Sequence, residues 1–196
     1  MENISTKIDF LNFLTVFYCE PDVDLFCNNK FLELFLKTSK DLDEELYSYA
    51  VEIFYYLRNA SELELMQEYS KTFLGPFGVV AHPYASVYLE NYTLNGKSTQ
   101  KILNFYNECG LLFDENVRDL PDNIVVVLQF LHYLLYSENF GNDEYPNIDW
   151  GAKRKEFLNL YVKSWIPQFT EKIKSITNNK LYKNLALMTE KFFEIF

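Results

Sequence analysis

Glycine and proline are scarce: six of each among 196 residues, about half the share of ~12% that the two usually make up together. Turns are therefore few and elements long. Cysteine is limited to Cys19, Cys27 and Cys109, an odd number with no C-x-x-C spacing. That excludes a disulfide framework and a cysteine-built zinc site and predicts reduced, buried thiols. The longest apolar run, Ile124 to Tyr136, is broken by Gln129 and His132 and is shorter than the ~20 residues of a spanning helix. No integral membrane segment is expected. The apolar patch Phe10 to Cys19 is flanked by Glu2 and Asp9, with no small-residue cleavage site after it, so it does not read as an export signal. A cytoplasmic location follows as the expectation.

Positive charge is also short. Residues 1–150 carry 9 Lys and Arg against 24 Asp and Glu, whereas residues 151–196 carry 9 against 4. Nucleic-acid binding requires basic clusters that displace counterions, so a chain of net charge −10 is not expected to bind it. The acidic part suits a basic peptide, although solvated helix faces would give the same composition. Hydrophobic residues at 48% are enough for one core, and a single domain over 1–196 is expected. Aromatics are abundant, with 18 Phe, 15 Tyr and 2 Trp, implying a thick core with some rings left for a groove.

Apolar residues recur at three- and four-residue steps. Ile4, Ile8, Leu11, Leu14 and Tyr18 predict a first helix, and Leu42, Leu46, Tyr49, Ile53 and Leu57 another. The pairs Asp41-x-x-Glu44 and Ser61-x-x-Glu64 have capping-box spacing. Leu65, Tyr69 and Phe73 continue the second of these, and Ile102 to Cys109 forms a helix stopped by Gly110 as its C′ residue. Leu120-Pro121-Asp122 opens the most apolar helix, with Asp122 able to cap it. Phe157, Leu158, Tyr161 and Trp165 mark a helix broken near Pro167, and a last one runs from about Asn179 to the C-terminus. No run of strands and no repeat is found. The class is all-α, a bundle of about eight to ten helices.

The segment Gly75 to Tyr84 departs from this pattern. It holds two of the Gly and two of the Pro, cannot be helical throughout, and is apolar where exposed loops are polar. Asn91-x-x-x-x-Gly96-Lys97-Ser98 falls short of a P-loop because Asn91 replaces its first Gly. A nucleotide cradle and a plain turn capped by Ser98 or Thr99 are both open. The two histidines, His82 and His132, lack the context of helical metal hydrolases, and no nucleophile has a local base. Catalysis is not expected. Lys153-Arg154-Lys155 reads as a solvated helix face or a contact for acidic lipid or a partner.

Tyr69-Ser70-Lys71-Thr72-Phe73-Leu74-Gly75-Pro76-Phe77, followed by His82-Pro83-Tyr84-Ala85-Ser86-Val87-Tyr88-Leu89-Glu90, resembles the TorD/DmsD family of cytoplasmic molybdoenzyme chaperones. The resemblance runs on through Gly96, Thr99, Phe105-Tyr106, Gly110-Leu111 and Leu120-Pro121-Asp122-Asn123-Ile124 to Trp165-Ile166-Pro167-Gln168-Phe169. It departs from the family at Asn123, where His is usual, at Val127, where an acid is usual, and at Phe77 and Tyr84, which replace Trp. Asn123 hydrogen-bonds but does not charge near neutral pH.

The resemblance implies a TorD-like, non-catalytic chaperone. Such a protein binds the twin-arginine signal peptide and apo form of a molybdopterin-containing oxidoreductase, assists cofactor insertion and prevents premature export. It also implies weak guanine-nucleotide binding and no tightly held cofactor. A sibling group serves membrane-bound nitrate reductases, and monomer and dimer are both open. On this reading Phe77, Pro83, Tyr84 and Tyr88 line an apolar groove and Asp122 accepts a guanidinium or peptide N–H. Asn123 is its neutral neighbour, and Gly75, Pro76, His82, Ser86 and Pro121 complete the candidate set. The competing readings are a helical adaptor docking a folded partner and a nucleotide hydrolase built on Gly96-Lys97-Ser98.

Overall fold

A computed structural model describes residues 4–75, 80–114 and 119–196. Among them there are eleven α-helices and no strand, so the class is all-α as expected, with short helices that periodicity did not resolve. No described helix is long and apolar enough to cross a membrane.

The chain forms two compact units, residues 1–82 with 167–196, and residues 83–166. The first holds α1 (Ile4–Tyr18), α2 (Val23–Phe26), α3 (Asn29–Leu42), α4 (Glu44–Leu57) and α5 (Glu62–Tyr69). The second holds α6 (Ala85–Leu89), α7 (Lys97–Glu108), α8 (Ile124–Phe140) and α9 (Trp150–Phe157). The chain returns to the first unit with α10 (Ile166–Ile176) and ends with α11 (Lys180–Ile195). One π-helical turn, Ser70–Leu74, continues α5 and another, Leu158–Val162, continues α9.

In the first unit α4 packs on α3 and α11. Phenylalanines fill the core: Phe10 meets Phe192 at 4.9 Å and Phe17 meets Phe35 at 4.9 Å between ring centroids. The apolar C-terminal residues Phe192 and Phe193 are buried here, so the tail is part of this core. The hydroxyls of Tyr18 and Thr189 satisfy each other at 2.8 Å inside it. In the second unit α8 packs on α9, and Phe130 sits 4.3 Å from Tyr106 and 4.7 Å from Phe157. Among the described residues 17 aromatic side chains are buried.

Four local expectations are corrected. The helix following Asp41 is capped by Asp43, whose carboxylate accepts from Glu45 N–H at 2.8 Å. Asp41 lies in the last turn of α3, a helix outside the expected set. The central helix α8 is capped by Asn123, which accepts from Val125 N–H at 2.8 Å, because Asp122 is engaged elsewhere. The helix expected to run through Trp165 and break near Pro167 ends at Val162, and Pro167 sits in the first turn of α10, where its missing N–H costs nothing. Of the thiols expected to be buried, Cys109 is buried, Cys19 half-buried and Cys27 exposed; burial pushes the Cys109 thiol up to about 11 and raises Cys19.

Candidate functional site

Of the candidate residues, Pro76 and Phe77 lie outside the described residues. Gly75 ends the π-helical turn in the left-handed conformation at φ 59°. A Cβ there would fall 2.1 Å from Val80 Cγ1, so only glycine fits both the dihedral and the space. Ala81 N–H then bonds Thr72 C=O at 2.9 Å, closing the loop at its base. His82 follows and is exposed; partial desolvation of its imidazole, and then the Lys172 ammonium, hold it below the ordinary histidine value.

The second unit contains most of the described candidate residues. Tyr84 and Asn123 form an isolated antiparallel bridge. Ile124 N–H donates to Pro83 C=O at 2.8 Å, and Ala85 N–H to Asp122 C=O at 3.0 Å. The two Pro-containing segments are thus fastened to each other immediately before α6 and α8. Pro121 is buried, and its carbonyl accepts from the Tyr106 hydroxyl at 2.8 Å. Burial raises that phenol well above its usual value, with the Asp122 charge second.

Asp122, expected to receive a guanidinium, is fully buried. Its Oδ2 accepts from the backbone N–H of Ser86 at 2.8 Å, which supplies the first turn of α6 with an acceptor that Tyr84, at the N-cap, does not provide. The acid that reaches the surface at this junction is Asp119, half-exposed and not singled out by the sequence. Its Oδ1 accepts from Leu120 N–H and its Oδ2 from the Asn123 amide, both at 2.8 Å. The Tyr84 hydroxyl is pushed up to about 12, by burial first and by its hydrogen bond to Asp119 second. Tyr84, Asp119 and Asn123 therefore form one polar cluster. A carboxylate has about four acceptor positions, and three of those on Asp119 are taken by Leu120, Asn123 and Tyr84.

Ser86 is buried and structural in its backbone role. Tyr88 is half-buried and its ring stacks on Trp165 at 5.9 Å. Next to the junction is an apolar cavity of about 210 Å³, lined by Tyr106, Leu111, Leu112, Val126, Phe130 and Tyr133 among others.

The incomplete P-loop is organised differently from a phosphate cradle. Glu90 places its carboxylate at the N-terminus of α7, accepting from Lys97 N–H at 2.9 Å, from Ser98 N–H, and from the Ser98 hydroxyl at 2.6 Å. Neither Ser98 nor Thr99 is the cap; Gly96 occupies that position without a side chain, and Glu90 takes the place a phosphate would need. Among the described residues no cluster of His, Cys, Asp and Glu could hold a metal ion.

A family model described as nitrate reductase delta subunit matches residues 39–171, a stretch that contains the whole second unit. A chaperone protein TorD from Vibrio parahaemolyticus is 30% identical over 130 residues, covering 66% of this chain and 60% of that one. TorD from Vibrio cholerae is 26% identical over 137 residues, covering 70% and 62%. The chain thus spans about three fifths of the length of these curated relatives. A crystal structure of a candidate redox enzyme maturation protein from Archaeoglobus fulgidus superposes with a TM-score of 0.61 at 20% identity, over 97% of this chain and 93% of that one. The fold is shared.

Proposed function

Because the chain belongs to the family described as nitrate reductase delta subunit, in which its relatives are TorD chaperones, we propose that it is a cytoplasmic maturation chaperone. Its client would be the apo form of a molybdopterin-containing oxidoreductase, captured through its twin-arginine signal peptide, held until the cofactor is inserted and only then released to export. The protein binds and does not convert its partner.

The observation that carries this reading is the clasp between Pro83-Tyr84 and Asp122-Ile124. It fixes Tyr84, Asp119 and Asn123 as a half-buried polar cluster beside an apolar cavity. A signal peptide offers an arginine pair followed by an apolar stretch. A carboxylate already oriented by its own chain receives a guanidinium with little loss of side-chain freedom, and the apolar stretch gains ~25 cal/mol for each Å² it buries. Asp122 serves as a positioning residue that holds the clasp, not as the contact itself.

The test is anisotropy of a labelled synthetic signal peptide, with pull-down of precursor and mature forms of the candidate client. Tyr84→Ala with Asp119→Ala is expected to weaken peptide binding about tenfold or more, and the precursor alone is expected to be captured. Equal capture of both forms would favour an adaptor for a folded partner. Affinity within about twofold of wild type in the double variant would remove the cluster from the site.

A further inference from the structure

A helix apolar on all sides is normally enclosed, and α8 has no charged residue before Glu138, yet one side of it is open. Val126, Gln129, Tyr133, Tyr136 and Phe140 follow three- and four-residue steps and share one strip. Tyr136 is 50% and Phe140 61% exposed, their rings 4.8 Å apart. Alongside runs Leu112, 88% exposed, forming a wall of the 210 Å³ cavity. That volume is below the ~300–1,000 Å³ of a small-molecule site and suits one large side chain.

Charge lies beyond the strip at both ends. Asp119 stands at the α8 N-terminus through its bond to Asn123, and Asp143 and Glu144 are exposed past the C-terminus. A second copy laid on the strip, parallel or antiparallel, would set acid against acid. An apolar helix with a cationic end has the complementary pattern at the Asp119 end of the strip. From Val126 to Phe140 the strip spans ~21 Å at 1.5 Å per residue, about 14 helical residues, which fits the 7–15 apolar residues of a signal peptide's central region.

We propose that the open strip of α8 seats the apolar segment of the client's signal peptide as a short helix. One of its side chains enters the cavity, and its arginine end points to Asp119. This rests on the signal-peptide reading above and assigns the place where the apolar part binds.

The experiment uses the full chain and a labelled peptide of two arginines followed by about twelve apolar residues. Tyr136→Glu with Phe140→Glu is expected to weaken binding about tenfold or more with an unchanged circular dichroism spectrum. Tyr55→Glu, at an exposed ring of the other unit (62% exposed), is expected to leave binding intact. If the strip variant keeps affinity within about twofold while Asp119→Ala loses it, the signal-peptide reading stands and this seat is wrong. If wild type does not bind the peptide, both fail. If light scattering shows a wild-type dimer that the strip variant converts to monomer, the strip belongs to a second copy and the proposal is overturned.

Discussion

The backbone N–H of Ser86 donates to Oδ2 of Asp122 at 2.8 Å across 36 residues of sequence. Both residues are fully buried, so no solvent substitutes for the bond if it is removed. Asp122→Ala strands a buried donor and is expected to cost about 1–3 kcal/mol. Asp122→Asn retains an acceptor and should cost less. Urea denaturation reads both, and an alanine variant as stable as wild type would mean that the clasp does not depend on this pair.

Glu90 should make stability acid-sensitive. Its carboxyl is held below the ordinary value by the Ser98 hydroxyl first and by the N–H groups of Ser98 and Lys97 next. A carboxyl depressed in the folded state stabilises above its unfolded value, and that contribution is lost as pH falls through the folded one. Glu90→Gln should therefore lower the denaturation midpoint near neutrality and flatten its fall on acidification. Because Glu90 fills the α7 N-terminus, Lys97→Ala should leave any guanine-nucleotide affinity unchanged in equilibrium dialysis; loss of that affinity would return the motif to consideration.

Gly75 joins a positive φ to a close approach by Val80. Gly75→Ala is expected to lower stability by about 1–3 kcal/mol. Adding Val80→Ala removes the 2.1 Å clash with Cγ1 but leaves the residue 80 Cβ at 3.1 Å and the dihedral strain, so recovery should be partial. Thermal unfolding of the three variants measures this, and full recovery in the double variant would assign the whole cost to packing.

His82 should titrate below the ordinary histidine midpoint of ~6.5, because partial desolvation and then Lys172 disfavour its charged form. The folded chain then binds this proton less readily than the unfolded one. Its contribution to stability is present above the unfolded midpoint and lost as pH falls through the lower folded one. Lys172→Ala should move the midpoint part of the way back up. Proton NMR titration decides, and a midpoint above the ordinary value would contradict the placement of the ring.

Local signals read well where a cap or period is self-contained. Ser61 caps α5 through Glu64 N–H, Asn179 caps the last helix, and Gly110 follows α7 at φ 81°, each within a few residues of its partner. Helix α3 is legible in the sequence, since Phe31, Leu32, Phe35 and Leu36 recur at three- and four-residue steps; only the polar end of its buried face, Thr38 and Ser39, is hidden, and Ser39 is satisfied by Phe35 C=O in the preceding turn. The choice of Asn123 over Asp122 as a cap was not legible, since Asp122 answers to Ser86 in a different segment. Asp119 was overlooked for the same reason. Its importance comes from Tyr84, which reaches it only after the chain has folded back.

The turn at Asn91 to Asn95 is exposed and includes three non-glycine residues at positive φ, Asn91, Tyr92 and Asn95. A protease that nicks it would cut between two places where the chain is already fastened. Pro83 to Ser86 would stay tied to Asp122 to Ile124, and α4 would stay packed on α11. The severed halves should therefore migrate together on gel filtration and come apart only in detergent.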